Sequence, residues 1–260
     1  MKSTSGLKEF LDRKVHEFNR PGFINDDPIS IPHRFTRLQD IEIAGLLTAT
    51  LSWGQRVTIL RNCLALLDRM DSAPFDFVTQ HKDSDLKRLT DFVHRTFNST
   101  DLLYFIDFLH RYYQVHHSLE ELFTVPFASG GARAALSTFH ERFFDASHAP
   151  ARTRKHVSTP ARGSACKRLN MFLRWMVRRD KAGVDFGCWK TIPMSGLICP
   201  LDLHVERIAR RYGLLRRKQT DWDAAEELTA ALRKFDPDDP VKYDFALFGV
   251  GVTERLGSRP

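Results

Sequence analysis

The stretch "DIEIAGLLTATLSWGQRVTILRNCLALLDRM", residues 40–70, carries apolar side chains at two separate helical spacings. Ile43, Leu46, Leu47, Thr50 and Leu51 fall on one face at steps of three and four residues. After a break at Ser52–Gly54 the period restarts with Val57, Leu60, Leu64 and Leu67. That spacing predicts two helices joined by a short turn, because a strand would need strict alternation.

The same period recurs outward along the chain. "TDLLYFIDFLHRYYQVHHSLEELF", residues 100–123, places Leu102, Phe105, Ile106 and Leu109 on one face, and a further helix fits "GGARAALSTFHERFFD", residues 130–145. "ASHAPARTRKHVSTPARGSACKR", residues 146–168, holds little to bury and many basic residues, so its first part reads as an exposed loop. Helical spacing resumes over residues 167–178 with Leu169, Phe172, Leu173, Met176 and Val177 inward. "DFGCWKTIPMSGLICP", residues 185–200, is irregular and rich in Gly and Pro. Helices follow over residues 203–212, through "DWDAAEELTAALRKF", and from "DPVKYDFALFGVGV", where Asp239 is the expected cap and Pro240 the first helical residue. No repeat and no strand run emerges. The fold class expected is all-α.

With 260 residues the chain is long enough for one large domain or two lobes. Hydrophobic residues at 42% and charged residues at 27% exclude a disordered chain, and twenty Phe point to aromatic packing between helices. No apolar run is long enough to span a bilayer, and "MKSTSGLKEFLDRKV" lacks the apolar core of a signal peptide. A cytoplasmic protein without a membrane partner is the expectation. Cys63, Cys166, Cys188 and Cys199 stand far apart with no C-x-x-C pair, which predicts reduced thiols and neither a metal nor another cofactor. A formal charge of +7 favours a polyanionic partner, with nucleic acid ahead of an anionic membrane.

The segment with the clearest chemical content is "PLDLHVERIARRYGLL", residues 200–215. Asp202 precedes a helix that carries Arg207, Arg210 and Arg211. An Asp in that position caps the helix by accepting backbone N–H bonds, and doing so leaves one oxygen free. Glu206–Arg210 is spaced for an i,i+4 ion pair. Arg216, Arg217 and Lys218 extend the basic run, and Arg152, Arg154, Lys155, Arg162 and Arg168 form another. Surface charge runs are mostly solvated, yet two of them are what a phosphate-tracking groove requires. The "GSAC" turn before Lys167 offers backbone N–H groups to a phosphate.

Three segments together resemble the helix–hairpin–helix DNA glycosylase superfamily, in the right order and over roughly residues 40–250. "LLTATLSWGQRVTILRNCLALL" resembles two helices near the start of that fold. "GSACKRLNMFLRWMVRR" resembles the second half of its hairpin, where a Lys opens the helix, and "PLDLHVERIARRYGLL" resembles the segment with its invariant Asp. The family hairpin normally reads Leu-Pro-Gly-Val-Gly before the Lys, whereas "TPARGSACK" keeps only Gly163. An archaeal 8-oxoguanine glycosylase branch is similarly altered there and has a similarly long spacing from Lys to Asp. The chain as a whole also looks like an uncharacterised bacterial family of unknown function, a likeness that implies no activity.

The glycosylase resemblance implies a role for each residue. Cleaving an N-glycosidic bond leaves positive charge on the sugar, which the carboxylate of Asp202 would stabilise. Lys167 would be the nucleophile. An amine attacks only when unprotonated, and a first-turn position beside Arg168 disfavours the ammonium form. The alternative for Lys167 is a solvated side chain or a phosphate contact, and Lys190 in "CWKTIP" is the rival nucleophile. Gln55 would fill the gap left by an extruded base, with Trp53 either core or stacked on a base. Gly163, Arg168, His204, Arg207, Arg210 and Arg211 would contact DNA. By the same resemblance residues 41–194 form a central lobe, residues 1–40 with 195–260 form the other, and DNA lies in a cleft between them. The function expected is excision of a damaged base from duplex DNA, with or without lyase activity, by a monomer. Two alternatives are a non-catalytic nucleic-acid-binding module and a basic scaffold with a protein partner; neither requires an amine beside Asp202.

Overall fold

The structure is a computed structural model and describes residues 4–257. In chain order the helices are α1 (Thr4–Phe18), α2 (Leu38–Leu51), α3 (Arg56–Arg69), α4 (Pro74–Gln80) and α5 (Asp83–Leu86). Two short antiparallel strands follow, β1 (Val93–His94) and β2 (Phe97–Asn98). Then come α6 (Ser99–Tyr113), α7 (Glu120–Phe143), α8 (Lys167–Val177), α9 (Leu203–Arg211), α10 (Trp222–Arg233) and α11 (Tyr243–Gly257). The protein is mostly helical, as the apolar spacing predicts. The one strand pair escapes that reading because two residues are too few to show alternation. No helix among the described residues is long and apolar enough to cross a membrane.

The chain divides into two compact units, residues 24–158 and residues 1–23 with 159–260. This differs from the expected division, which left residues 159–194 with the middle of the chain. The reason lies in α8, whose inward face carries charges answered by residues near the C-terminal end. Arg174 binds Asp244, and Arg178 binds Asp239 at 3.0 Å.

In the unit of residues 24–158, α2 is buried from Ile41 to Leu51 on every side, beyond the single face its spacing suggests. Glu42 within it is wholly buried, which only matched donors make tolerable. Tyr113 Oη donates to it at 2.8 Å and Leu119 N at 3.1 Å, with the Ser118 hydroxyl as a third donor. Phe143 is the centre of the aromatic core, its ring 4.6 Å from Phe105 and 4.5 Å from Phe108. In α7 the helical path breaks at Gly130 and Gly131, and Gly131 takes φ +65°, a conformation other residues adopt only with strain. The face expected for α3 is corrected. Val57 is 79% exposed, and Ile59, Cys63 and Leu66 are buried beside the expected Leu67. Both series fit a helical period, so spacing alone does not choose between them. The loop after α7 also buries more than expected. Asp101 at the start of α6 has no exposure and gathers Arg152 at 2.7 Å and Thr153 Oγ1 at 2.8 Å, drawing Thr153, His156 and Val157 inside.

In the other unit, α1 and α9 pack on α11. Glycine makes the approach close: a Cβ on Gly249 would stand 2.3 Å from the Phe18 ring, and one on Gly251 would stand 2.9 Å from His204 Cβ. The expected cap at Asp239 is also corrected. Its side chain makes no cap bond and pairs with Arg178, which is almost fully buried and needs counter-charge more than a helix end does. The four cysteines carry free thiols, three of them buried.

Candidate active site

Asp202 and Lys167 open two different helices of the same unit. Asp202 is the N-cap of α9, and its Oδ1 accepts from His204 N and Val205 N, both at 2.9 Å. Oδ2 takes no hydrogen bond among the described residues. The cap therefore fixes the carboxylate and leaves one oxygen open, as expected for a side chain with two acceptors. The next residue, Leu203, is 81% exposed, so the mouth of this helix end is apolar.

Lys167 is the first residue of α8 and half-buried, with Nζ 3.7 Å from Met171 Sδ one turn on. The turn before it holds two left-handed residues, Gly163 at φ +74° and Cys166 at φ +49°. Cys166 pays a steric cost that glycine would not, and bonds brace it. Ser164 Oγ accepts from Cys166 N at 3.1 Å, and Asn170 Nδ2 donates to the Ala165 carbonyl at 3.0 Å. Trp222 N donates to the Gly163 carbonyl at 3.2 Å, joining this turn to the start of α10. The Cys166 side chain makes no cap bond to α8.

The two candidate residues meet electrostatically on a third, Asp244 in the first turn of α11. Asp244 is buried, and Arg174 Nη1 donates to its Oδ2. Burial pushes its carboxyl up to about 6; Asp202 and Asp185 push the same way, while Arg174 and Lys167 oppose. Arg174 is itself divided, since its Nε donates to Asp185 at 3.1 Å. Arg178 completes the cluster, with Asp185 at 2.9 Å and Asp180 at 2.7 Å besides Asp239. Asp244 was invisible to sequence reading because it stands among helix-forming residues in "KYDFALF", with nothing to mark it as buried.

The remaining expected contacts divide into held and exposed groups. His204 Nδ1 lies 3.3 Å from the Gly251 carbonyl, and Arg207 Nη2 donates to the same carbonyl at 2.8 Å. Arg210 makes the expected pair with Glu206 at 2.8 Å and donates to the Lys218 carbonyl at 3.0 Å, so its charge is largely spent. Arg207 and Arg211 are exposed. Arg168 is half-buried, and burial pushes its guanidinium down. In the other basic run Arg152 is committed to Asp101, and Arg154 lies 4.8 Å from the centre of the Phe144 ring. Lys190 is exposed and donates to the Gly187 carbonyl.

Gln55 and Trp53 belong to the unit of residues 24–158. Gln55 stands at the N-cap of α3, exposed, and its side chain makes no hydrogen bond among the described residues. Trp53 is half-exposed and covered by the Arg95 guanidinium at 4.7 Å, while buried His94 meets its ring edge-on at 5.8 Å. Arg95 sits at the tip of the β1–β2 hairpin with φ +57°, above Gly54, whose φ of +103° strains any other residue. Sequence reading misses Arg95 because the hairpin that delivers it is only two residues a side.

Among known families, the one described as "Protein of unknown function (DUF2400)" matches residues 27–253. No curated protein and no solved structure matches the chain.

Proposed function

The chain belongs to the DUF2400 family, whose description names no activity, and from its own residues we propose that it is a DNA glycosylase excising a damaged base from duplex DNA. The observation that carries this reading is the Asp202 carboxylate, held by the cap of α9 through one oxygen with the other left open, in the same unit as Lys167 at the first residue of α8. A fixed carboxylate with a free oxygen is the group that an electron-poor sugar C1′ requires. A lysine amine supplies a nucleophile for that carbon and gives the enzyme its lyase step. In the unit of residues 24–158, Gln55 is exposed at a turn with no hydrogen bond among the described residues, and Arg95 beside Trp53 adds a cation that suits a nucleic-acid ligand. No step requires a metal.

Purified protein offered duplexes that each carry a different damaged base is expected to release free base from at least one of them. Release from none, with duplex still bound, would leave a non-catalytic binding module.

Binding has its own expectation. Phosphate contacts release counterions, so log affinity falls with log salt at a slope of about 0.9 per contact. Arg207→Ala and Arg211→Ala should each flatten that slope by about one. Arg210→Ala should flatten it by less than one, because Glu206 already neutralises part of its charge. Filter binding over a salt series reads all three; equal slopes in the wild type and the Arg211→Ala variant would remove α9 from the interface.

A further inference from the structure

Of the four tryptophans, Trp175, Trp189 and Trp222 are buried, whereas Trp53 is half-exposed on the turn between α2 and α3. The group over its indole face is the Arg95 guanidinium, 4.7 Å from the ring centre. Arg95 is exposed, and among the described residues it makes no ion pair. Both residues are firmly presented. Buried His94 lies 3.0 Å through Nδ1 from Asn62 Nδ2 of α3, and 3.3 Å through Nε2 from the Trp53 carbonyl. At the other residue of the hairpin tip, Arg152 Nη2 donates to the Thr96 carbonyl at 3.1 Å. Arg95 itself stands at φ +57°, where an arginine costs more than Gly or Asn would. The same turn and hairpin also leave Val57 and Val93 in solvent, 79% and 59% exposed. An aromatic and aliphatic surface carrying an unpaired cation marks an interaction site. Its chemistry decides the partner. The cation calls for an anion, as does the net charge of +7, and a flat aromatic face calls for a second flat π-system. A nucleotide supplies both, in its phosphate and its base. In a duplex each base face is already stacked on its neighbours, so the partner that fits is a base outside a helix.

We propose that Trp53 and Arg95 form a stacking platform for an unpaired base of single-stranded nucleic acid. On binding, the base takes the indole face, and the guanidinium moves from the ring to the adjoining phosphate. The exchange is favourable because stacking on a base is worth more than an exposed cation–π contact, and Arg95 gains a charge-assisted bond besides. The hairpin and the turn stay as they are, since the arginine side chain alone carries the shift. Gln55, two residues after Trp53, is exposed with its amide unbonded among the described residues, and it is in place to bond a base edge. The platform lies wholly in the unit of residues 24–158 and uses neither Lys167 nor Asp202. It therefore goes beyond the excision reading and does not depend on it.

Tryptophan fluorescence of the full chain reads the platform directly, because the three buried indoles are out of a ligand's reach. A short oligothymidylate, or the matching oligouridylate, should quench the accessible emission as it binds. An oligomer of abasic sugar phosphates carries the same charge and should bind more weakly, without quenching. Trp53→Leu should remove the quenching and weaken oligothymidylate binding by about tenfold, the usual effect of losing one base stack. Arg95→Gly relieves the strain at φ +57°, so it should fold as the wild type does. The same variant should flatten the log–log salt slope by about 0.7, the share of one phosphate on a single strand. Equal quenching by the abasic oligomer would overturn the proposal. So would wild-type affinity and slope in Arg95→Gly, a result that counts even if Trp53→Leu does not fold. Absence of quenching by both single strands would overturn it too, and would leave this surface to a protein partner. Lys167→Ala and Asp202→Asn should be quenched as the wild type is, whether or not the chain excises a base, and loss of quenching in either would overturn the platform's independence of that site.

Discussion

Asp202→Asn is expected to fold as the wild type does and to excise its base at least about a hundredfold more slowly, the usual cost of one preorganised transition-state charge. Folding survives because Asn caps helices about as well as Asp, and its Oδ1 can take over the bonds to His204 N and Val205 N. What disappears is the charge on the second oxygen, which has no duty in the cap. Circular dichroism and single-turnover base release measure the two halves separately. A structural cap predicts no change in either, so full excision by a folded Asp202→Asn variant would sink the mechanism. The neighbouring Asp244 sharpens the comparison. With the negative charge of Asp202 gone, burial and Asp185 are left opposing Arg174 and Lys167, so the Asp244 carboxyl should titrate lower than about 6.

How far this site was legible in the sequence can be seen residue by residue. Asp202 was readable as a cap, because capping depends on position at a helix start and the helix announces itself by its period. The Glu206–Arg210 pair was readable for the same reason: i,i+4 neighbours follow from helix geometry alone. The start of α8 at Lys167 also followed from spacing, while its partners did not. Nothing in "FLRWMVRR" marks Arg174 and Arg178 as buried, and both are buried because Asp185, Asp239 and Asp244 meet them from other parts of the chain. Those long-range pairings also determine which unit α8 belongs to, which is why the expected boundary after residue 194 was misplaced. The face of α3 failed through local ambiguity. Val57 is apolar and in phase with Leu60, Leu64 and Leu67, yet of these only Leu67 is buried, beside Ile59, Cys63 and Leu66. Arg95 failed for want of length, since a strand of two residues leaves no pattern.

Lys167→Ala is expected to abolish the covalent link between protein and DNA that borohydride traps. An amine that attacks C1′ displaces the base and leaves an imine, and hydride reduction turns that imine into a permanent bond. The side chain lies half-buried at the first residue of α8, where Ala is a good helix former, so the variant should fold. Its only close contact among the described hydrogen bonds is the 3.7 Å approach to Met171 Sδ, too weak to hold the helix start in place. That start is held instead by the bonds of Ser164 and Asn170, which the substitution leaves alone. Lys190→Ala is the matched control. Its ammonium donates to the Gly187 carbonyl, where a Cβ would meet Arg179 Cβ at 2.4 Å, so the lysine stands over a tight turn, not at an open helix end. Gel mobility of the reduced adduct on an abasic duplex reads both variants. Adduct lost in Lys190→Ala and kept in Lys167→Ala would transfer the nucleophile and keep the enzyme class. Base release with no adduct in the wild type would make water the nucleophile. Lys167 would then stand in a role that charge alone can fill, and Lys167→Arg would retain the excision that Lys167→Ala lowers.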